Sequence, residues 1–479
     1  MNLCDALCGA ARHWLDRPAF IDEAGVRDYR FLWGEVGRVR TQLCQLGVRE
    51  GQGVGVWARN GWAFAVGALA AVGCGAVVMP IHHRIKPDEL TQMLACAPLS
   101  ILLDDGCRAI PAGETTGGLE LSGGGGLRFT RLNGAGQPVA PGFEDAAFVR
   151  FTSGTTGTAK GVVLTHGGVL DRIRAANTGL GLTCRDRVLW VLPMAYHFYV
   201  SILLYLHAGA AIVLGRDCLA ESLLDRAWRH QATFLYVTPM HVGLLAGEGS
   251  GRALPPSLTR VMSVSSRLEP RLAGEFLARY AVPVAQGYGI IEVGLPIMNL
   301  EEALEHPEAI GRPLKAFEAV VAGEGFAPKP QGQTGQLALR GPGMFAGYLS
   351  PPRRRAEVLP EGWFLTGDLA HRDTGGRIVL DGRASSVIHV AGHKVFPEEV
   401  AAVLDRHPAV LRSRVTKRPH PELGEAVHAE VQLRNRGPAA GAEDILEFCR
   451  RRLSDHKVPA TLGFVSRIEL TPSGKVRHG

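Results

Sequence analysis

The stretch Thr152-Ser153-Gly154-Thr155-Thr156-Gly157-Thr158-Ala159-Lys160-Gly161 is a loop dense in glycine and hydroxyl side chains. Glycine lets backbone N–H groups turn toward an anion, the hydroxyls add donors, and Lys160 adds a full positive charge. A triphosphate needs this combination of donors and charge. The loop lacks the Walker A pattern G-x-x-x-x-G-K-S/T, and an apolar, strand-like stretch follows it at 161–165. The alternative is a solvated Ser/Thr/Gly turn, which the density of the loop and its terminal lysine disfavour.

The segments upstream of this loop predict layered α/β structure. Residues 146–151 are typical of a strand that enters the loop. Further upstream, residues 53–57 and 76–80 are strand-like, and the small, apolar residues 63–72 between them are typical of a buried helix. Alternation of this kind indicates parallel sheets covered by helices, and downstream it continues to about Val320.

Three other regions depart from this alternation. Residues 335–380 contain shorter strands with turns, such as Thr374-Gly375-Gly376, and predict antiparallel β-structure. The glycine-rich residues 111–127 predict a loop or a flexible insertion. The tail from about residue 383 to 479 predicts a small α+β unit. The expected fold class is therefore α/β, with a large N-terminal domain of layered α/β subdomains plus a β-rich subdomain, and a small C-terminal domain.

Composition and charge disfavour several classes of protein. The 479 residues are too many for one compact core, and 46% hydrophobic with 20% charged residues is typical of a globular protein without a membrane span. The net charge of +6 is best explained by an arginine-rich proteome, and no basic run is interleaved with aromatics as in nucleic-acid binders. Nine cysteines without a CxxC pair, and a start without a signal-peptide pattern, favour a reducing cytoplasm.

The loop at 152–161 strongly resembles the signature loop of the adenylate-forming superfamily, which contains acyl-CoA synthetases, aryl-acid and peptide-synthetase adenylation domains, and firefly luciferase. Ala159 stands where that family usually has proline. Further matches follow in the family's order over nearly the whole chain. The resemblance implies a large AMP-binding domain, residues 1–381, and a small catalytic C-terminal domain, residues 382–479, which rotates during the reaction. It also implies that ATP contacts the loop residues Thr152, Ser153, Gly154, Thr155, Thr156, Gly157 and Lys160.

The segment Gln286-Gly287-Tyr288-Gly289-Ile290-Ile291-Glu292 resembles the family's adenine and metal motif. The resemblance places Tyr288 and Gly289 in the AMP site and makes Glu292 a ligand of Mg²⁺, a role that suits a hard carboxylate oxygen beside phosphates. Ile291 replaces the threonine that usually donates to the α-phosphate, and isoleucine has no donor to offer.

The segments Trp363-Phe364-Leu365-Thr366-Gly367-Asp368 and Asp381-Gly382-Arg383 resemble the ribose motif and the crossover between the two domains. Asp368 is expected to accept from both ribose hydroxyls, as acidic residues do in other nucleotide folds. Arg383 is expected to contact ribose or phosphate. The family's hinge falls on Ser385.

Two further residues of the C-terminal region match by resemblance. Gly392, after the apolar residues 387–391, lies where the family lets the backbone approach the thiol's pantetheine tunnel. Lys475, in Thr471-Pro472-Ser473-Gly474-Lys475-Val476-Arg477, resembles the C-terminal catalytic lysine. A lysine near a chain end is usually a solvated charge, but its place in the ordered set of motifs favours the catalytic role.

The segment Pro193-Met194-Ala195-Tyr196-His197-Phe198-Tyr199 falls where the family lines its acyl pocket. Tyr196, His197 and Phe198 offer aromatic surface for an aryl or alkyl tail and no acidic anchor for an amino group, which disfavours amino acids. His197 is either a hydrogen-bonded core histidine or a gate. Ser265 lies in a segment that resembles the part of the site touching adenine and substrate.

Together these residues predict a two-step ligase. ATP, with Mg²⁺, activates a small-molecule carboxylic acid as an acyl-adenylate, and the acyl group passes to a thiol, with CoA as first choice of acceptor. The alternative acceptors are a carrier-protein phosphopantetheine and a non-thiol group. The alternative function is non-catalytic nucleotide binding, which is suggested by Ile291 and Val264 in place of the family's usual threonine and glycine. Lys160, Glu292 and Lys475 are the expected catalytic residues. The sequence does not predict an oligomeric state.

Overall fold

The computed structural model describes residues 1–96, 99–106, 114–123, 126–132, 138–152, 160–390, 393–421, 423–434, 440–470 and 476. None of the helices in these ranges is long and apolar enough to cross a membrane. The α-helices in the described ranges are α1 (Leu3–Ala11), α2 (Tyr29–Gln45), α3 (Trp62–Gly73), α4 (Pro87–Cys96), α5 (His166–Leu180), α6 (Met194–His197), α7 (Leu203–Ala208), α8 (Ala220–Arg229), α9 (Pro239–Ala246), α10 (Pro270–Tyr280), α11 (Arg355–Val358), α12 (Pro397–Leu404) and α13 (Ala442–Arg450).

The strands in the same ranges follow one another as β1 (Pro18–Asp22), β2 (Gly25–Asp28), β3 (Gly53–Ala58), β4 (Val77–His82), β5 (Leu99–Asp104), β6 (Glu114–Glu120), β7 (Gly126–Arg131), β8 (Ala146–Thr152), β9 (Lys160–Thr165), β10 (Arg187–Trp190), β11 (Ala211–Leu214), β12 (Phe234–Val237), β13 (Arg260–Ser263), β14 (Val284–Ile290), β15 (Gly294–Met298), β16 (Arg312–Pro313), β17 (Glu318–Ala322), β18 (Gly335–Arg340), β19 (Gly347–Leu349), β20 (Pro352–Arg354), β21 (Phe364–Arg372), β22 (Ile378–Arg383), β23 (Ile388–Val390), β24 (His393–Val395), β25 (Val410–His420), β26 (Gly424–Leu433) and β27 (Thr461–Phe464).

Two nine-stranded sheets form the N-terminal part, in the orders β16-β15-β14-β13-β12-β10-β11-β1-β2 and β20-β19-β9-β8-β4-β3-β5-β7-β6. The central strands of both sheets are parallel, and the outer pairs, such as β14 with β15 and β8 with β9, are antiparallel. Helix α3 lies between β3 and β4 in the chain and is buried along nearly its whole length. The predicted parallel α/β layers are therefore confirmed.

The prediction of a loop at 111–127 was wrong for its described part. Strands β6 and β7 form an antiparallel hairpin at the edge of the second sheet. Leu119, Leu127 and Phe129 are each at most 1% exposed, so the hairpin buries an apolar face. Glycine is depleted in strands on average, but an edge strand tolerates it when neighbouring side chains are buried. The glycines concealed this apolar face in the sequence.

The rest of the chain forms two smaller sheets. Strands β17, β18, β21 and β22 make an antiparallel sheet, as predicted for residues 335–380, with Thr374-Gly375-Gly376 in the turn between β21 and β22. After β22, the order β24-β23-β26-β25, with β27 parallel to β26, makes a separate sheet. Helices α12 and α13 close a core that includes Val395, Val400 and Ile445. The α+β character predicted for the tail is confirmed.

Candidate active site

Lys160 is the described end of the predicted phosphate loop. Strands β8 and β9 pair so that Thr152 stands opposite Lys160, and the loop between them therefore leaves and returns at one point. The Lys160 ammonium lies 5.4 Å from the centroid of the Tyr348 ring. The other loop residues, and the Thr152 side chain, lie outside the described residues, and their part in ATP binding stays a prediction: Ser153, Gly154, Thr155, Thr156 and Gly157.

Glu292, the predicted metal ligand, lies in the turn between β14 and β15 and is joined to Lys160 through Tyr348. The Tyr348 hydroxyl donates to Glu292 Oε1 at 3.0 Å. Tyr348 reaches this position because β19 pairs with β9, with Tyr348 opposite Val162. Burial raises the pKa of the Glu292 carboxyl, and the hydrogen bond from Tyr348 opposes that rise. An ammonium, a phenol and a carboxylate thus form one cluster.

The Glu292 carboxylate fits a divalent cation. Desolvation disfavours its charged form, and a cation bound beside it would favour that form again. Arg172 and Arg383 act on the carboxyl through space, but the ion pairs among the described residues do not include Glu292. Carboxylate oxygens are also the ligands that Mg²⁺ takes beside phosphates. The chemistry of this residue therefore suits the metal that a nucleotide triphosphate carries.

Arg172 on α5 holds the Glu292 turn in place and was not among the predicted residues. The guanidinium is 1% exposed. Its Nη1 donates to the Ile291 carbonyl at 2.8 Å and its Nε to the Gly343 carbonyl at 2.8 Å. Burial lowers the pKa of Arg172 to about 10. Through these hydrogen bonds, Arg172 joins α5 to the residue before Glu292 and to the segment that leads to Tyr348.

Tyr288, Asp368 and Arg383, predicted from three separate motifs, meet in one array. The Tyr288 hydroxyl donates to Asp368 Oδ2 at 2.5 Å, and Arg383 Nε lies 2.7 Å from Asp368 Oδ1. The ion pair follows from the register of β21 with β22, in which Asp368 stands opposite Arg383. Asp368 is 7% exposed and its backbone N–H donates to the Thr366 hydroxyl at 3.0 Å. Both carboxylate oxygens therefore have protein partners.

Close backbone approaches surround this array. A Cβ on Gly289 would lie 2.8 Å from the Gly294 carbonyl oxygen, so β14 turns into β15 only with glycine there. A Cβ on Gly382 would lie 2.6 Å from Glu398 Oε2, and glycine lets the carboxylate of α12 reach the end of β22. Burial raises the pKa of Glu398. The beginning of the C-terminal unit thus contacts the strand that carries Arg383.

Three predicted residues of the C-terminal region are described in part or not at all. Ser385 lies in the single 3₁₀ turn Ala384–Ser386 directly after β22. Gly392 and Lys475 lie outside the described residues, so their predicted roles at the thiol tunnel and in catalysis stay predictions.

Arg150 on β8 contacts the predicted acyl-pocket segment 193–199 and was not among the predicted residues. Arg150 Nη1 donates to the Tyr199 hydroxyl at 3.0 Å and to the Ala195 carbonyl at 3.3 Å. The guanidinium carbon lies 4.2 Å from the centroid of the Tyr196 ring. On its other side, Tyr196 stacks on His82 at the end of β4, with ring centroids 5.1 Å apart. Tyr196 therefore lies between a cation and an imidazole.

The other two predicted pocket residues point into packed aromatic surroundings. Phe198 is fully buried, and its ring packs against Phe64 and Phe148 at centroid distances of 5.5 and 6.0 Å. His197 packs edge-on against Trp190 at 5.4 Å. A π-helical turn, Phe198–Ile202, separates α6 from α7. Such turns often occur at functional sites, and this one directs Tyr199 to Arg150.

Ser265, predicted to touch adenine and substrate, follows β13 with a φ of 74°. A residue with a Cβ pays roughly 1–2 kcal/mol to hold this left-handed conformation. This conformation follows the carboxyl end of the parallel strand β13, and ligands of α/β folds bind at the carboxyl ends of such strands. The preceding Val264 is buried, with 4% of its surface exposed.

Two of the missed residues left a signal in the sequence. Arg150 interrupts the otherwise apolar run at 146–151, and Arg172 lies three residues after Val169 and four before Ala176, on the apolar face of α5. A charged residue inside an apolar element is informative because burying it without partners is costly. Tyr348 left no such signal, since its partner depends on the pairing of β9 with β19.

Comparison with known proteins gives two matches to protein families. The AMP-binding enzyme family matches residues 9–349, and the AMP-binding enzyme C-terminal domain matches residues 399–475. The chain is 30% identical to the sulfoacetate–CoA ligase of Cupriavidus necator, over 98% of this chain and 95% of the ligase. It is 28% identical to the 2-succinylbenzoate–CoA ligase of Geobacillus kaustophilus, over 97% and 96%.

Solved structures share the fold over the same extent. The amide bond synthetase McbA from Marinactinospora thermotolerans superposes with a TM-score of 0.83 at 25% identity, covering 98% of each chain. The o-succinylbenzoate CoA synthetase from Bacillus subtilis, solved with an acyl-adenylate intermediate, superposes with a TM-score of 0.85 at 22% identity, covering 98% of this chain and 96% of the synthetase. The second likeness concerns the fold alone.

Proposed function

This chain belongs to the AMP-binding enzyme family and is an AMP-forming acid–CoA ligase, and we propose that the two clusters described above carry out its first half-reaction. The observation that carries the assignment of residues is their convergence. Tyr288, Asp368 and Arg383 form one hydrogen-bonded array, and Glu292, Tyr348 and Lys160 form another. The first array offers a nucleoside site, and the second offers charge for its phosphates.

In the first step, an oxygen of the substrate carboxylate attacks the α-phosphorus of ATP. A bond from that oxygen to phosphorus forms, the bond from the α-phosphorus to the bridging oxygen breaks, and pyrophosphate leaves. Because two anions meet, the site must supply positive charge. Lys160 supplies it near the phosphate loop, and Lys475 is proposed to supply it where the carboxylate meets phosphorus. Asp368 would hold the ribose hydroxyls.

Mg²⁺ is proposed to bind Glu292. When bound there, it would neutralise charge on the phosphates of ATP. Within the chain itself, Tyr348 holds the Glu292 carboxylate by a hydrogen bond, and Arg172 fixes the Ile291 carbonyl directly before it. These contacts orient the carboxylate before any nucleotide binds.

In the second step, the CoA thiol loses its proton and its sulfur attacks the acyl carbon of the adenylate. A carbon–sulfur bond forms, the acyl–oxygen bond breaks, and AMP leaves. We propose that the C-terminal domain, residues 382–479, rotates about Ser385 between the steps, away from the large domain at 1–381. Rotation would withdraw Lys475 and bring Gly392 to the pantetheine path. The short turn after β22 supports a hinge at this place.

The acid itself is proposed to be an aryl or medium alkyl acid rather than an amino acid. Tyr196 supplies aromatic surface, and no acidic side chain lies within the predicted pocket segment 193–199. The names of the relatives span sulfoacetate, ferulate, 2-succinylbenzoate and indoleacetate, and therefore do not choose one class of acid.

Two other acceptors follow from specific observations. A carrier-protein phosphopantetheine would enter by the same path as CoA, because both present the same thiol arm. An amine acceptor is raised by the likeness to an amide bond synthetase. The family match and the relatives named as CoA ligases leave the non-catalytic alternative, which Ile291 and Val264 raised, without support.

Pyrophosphate release with a panel of carboxylic acids tests the proposal. The wild-type protein with MgATP should release pyrophosphate with aryl and medium alkyl acids and less with α-amino acids. Addition of CoA should then yield the thioester, whereas a loaded carrier protein or an amide would identify another acceptor. Activity confined to α-amino acids would overturn the proposed pocket. Release of pyrophosphate with no acid of the panel would contradict the proposed first half-reaction.

A further inference from the structure

Arg150 is a half-buried cation whose charge is not met by a carboxylate. Among the described residues, no aspartate or glutamate forms an ion pair with Arg150, and its hydrogen bonds to them use Nη1 alone. Both acceptors, the Tyr199 hydroxyl and the Ala195 carbonyl, are neutral. Some half-buried arginines, such as Arg27 and Arg260, pair with a carboxylate, whereas Arg187 and Arg372 donate to backbone carbonyls instead.

The surroundings of Arg150 resemble a binding site more than a packing site. The ring of Tyr196 covers one face of the guanidinium, which orients it without neutralising it. Arg172, by contrast, is fully buried and places Nε and Nη1 on two backbone carbonyls. In Arg150, Nε and Nη2 have no acceptor among the residues that the structure describes. A planar fork with free N–H groups is suited to an oxyanion that accepts two hydrogen bonds.

The contacts of Arg150 are with the predicted acyl-pocket segment 193–199. This arginine lies on β8 with its side chain toward Ala195 and Tyr196, the segment proposed to line the acyl pocket. Lys160 lies instead over Tyr348 on β19, and Val162 of β9 stands between Arg150 and Tyr348 in the strand pairing. His82, whose ring stacks on Tyr196, lies beside His83 with ring centroids 4.7 Å apart. Their ring nitrogens could donate further hydrogen bonds to an anion at Arg150.

We propose that Arg150 binds a second anionic group of the substrate, and that the preferred acids therefore carry a carboxylate or sulfonate at the end remote from the carboxyl that is activated. This inference rests on the proposed function and narrows its substrate class. The remote anion would supply the counter-charge that Arg150 lacks among the described residues. The ring of Tyr196 would contact the part of the acid that lies between its two anionic groups. A monoanionic acid of the same length leaves the guanidinium without that partner.

The experiment compares acids that differ only in the remote group: butanoate with succinate, pentanoate with glutarate, and propanoate with sulfoacetate. Adenylate formation is measured as pyrophosphate release in wild type, Arg150→Gln and Arg150→Lys, with Arg185→Gln as a control at an exposed arginine. Charge-assisted hydrogen bonds contribute about 1.5–3 kcal/mol, which is about 10- to 100-fold in kcat/KM.

Wild type should prefer each dianionic acid over its partner by about 10- to 100-fold, chiefly through a lower KM. Arg150→Gln should abolish that preference, because its loss in kcat/KM for each dianionic acid should exceed its loss for the matched monoanion by about 10- to 100-fold. Arg150→Lys should keep part of the preference and carries the test if the glutamine variant does not fold. Arg185→Gln should behave as wild type.

Two results would overturn the assignment of Arg150 while leaving the ligase function intact. One is equal use of both acids of each pair by the wild-type enzyme. The other is an equal loss for both acids in Arg150→Gln, which would mean that Arg150 contacts the reacting carboxylate or ATP. Failure of every acid with the wild-type enzyme would instead contradict the proposed function itself.

Discussion

The proposed nucleotide end and the proposed acyl end of the site differ in how their buried charges are paired. At the nucleotide end, both oxygens of Asp368 already have protein partners, Tyr288 and Arg383. At the acyl end, Arg150 has neutral partners and no carboxylate among the described residues. A polar array satisfied within the protein is rigid before the ligand arrives. A cation without a counter-charge makes binding depend on the charge of the ligand. We therefore expect the first site to suit ATP, which is the same in every reaction, and the second to discriminate among acids.

The largest expected effect concerns Lys475, which is proposed to act in adenylate formation and not in thioester formation. Lys475→Ala should slow adenylate formation by about two to three orders of magnitude, since a unit charge pair at ~4 Å and an effective dielectric of ~20 contributes about 4 kcal/mol. Thioester formation from a supplied acyl-adenylate should be nearly unchanged. Single-turnover measurement of each half-reaction gives both rates.

Gly392→Leu is the matched variant for the second step. A side chain at this position would obstruct the proposed pantetheine path in the rotated state, so thioester formation should slow while pyrophosphate release is retained. Equal slowing of both steps by Lys475→Ala, or of neither, would end the case for a rotating domain.

A smaller effect tests the prepaired nucleotide end directly. Asp368→Asn should raise KM for ATP by about 10- to 30-fold, because hydrogen bonds to a charged acceptor contribute about 1.5–2 kcal/mol and Arg383 would lose its counter-charge. KM for the acid should stay within about twofold. Steady-state kinetics with each substrate varied in turn makes the measurement. A rise in KM for the acid as large as that for ATP would show that the two ends are not independent.

Tyr348→Phe should move the acidic limb of the pH profile. The hydrogen bond from Tyr348 lowers the pKa of Glu292 against the rise caused by burial. Without the hydroxyl that pKa rises, the carboxylate needed for Mg²⁺ is protonated at higher pH, and kcat/KM falls earlier as the pH decreases. A net hydrogen bond of about 0.5–1.5 kcal/mol corresponds to a shift of about half to one pH unit. An unmoved limb would mean that Glu292 does not set it.

The smallest effect concerns Ile291. A transition-state donor in a dry site can contribute roughly 3 kcal/mol, so Ile291→Thr should leave adenylate formation unchanged or raise it. The Ile291 carbonyl accepts from Arg172, and the side chain packs at the edge of the main core, so thermal unfolding of the variant is measured beside its rate. A large drop in both turnover and stability would identify Ile291 as a packing residue.

Much of the fold and part of the site could be predicted because the informative residues are neighbours in the chain. The strand–loop–strand around Lys160 follows from glycine, hydroxyl and apolar patterns that span 20 residues from Ala146 to Thr165. The motifs holding Tyr288, Asp368 and Arg383 could be recognised one at a time for the same reason. The hairpin at 114–131 was missed because its glycines outweighed the leucines that it buries.

What the tertiary structure alone decided is which of these residues touch. Arg150 meets Tyr199, 49 residues away, and Arg172 meets Gly343, 171 residues away. Local patterns carry no information on such pairs, because the contacts join β8 to the π-helical turn Phe198–Ile202 and α5 to the segment before β19. The sequence by itself determined the layered α/β fold, and the phosphate-binding role of the loop before Lys160 stays its prediction. Only the tertiary structure decided that Asp368 is paired within the protein and that Arg150 meets no carboxylate among the described residues, since such pairing depends on segments brought together from distant parts of the chain.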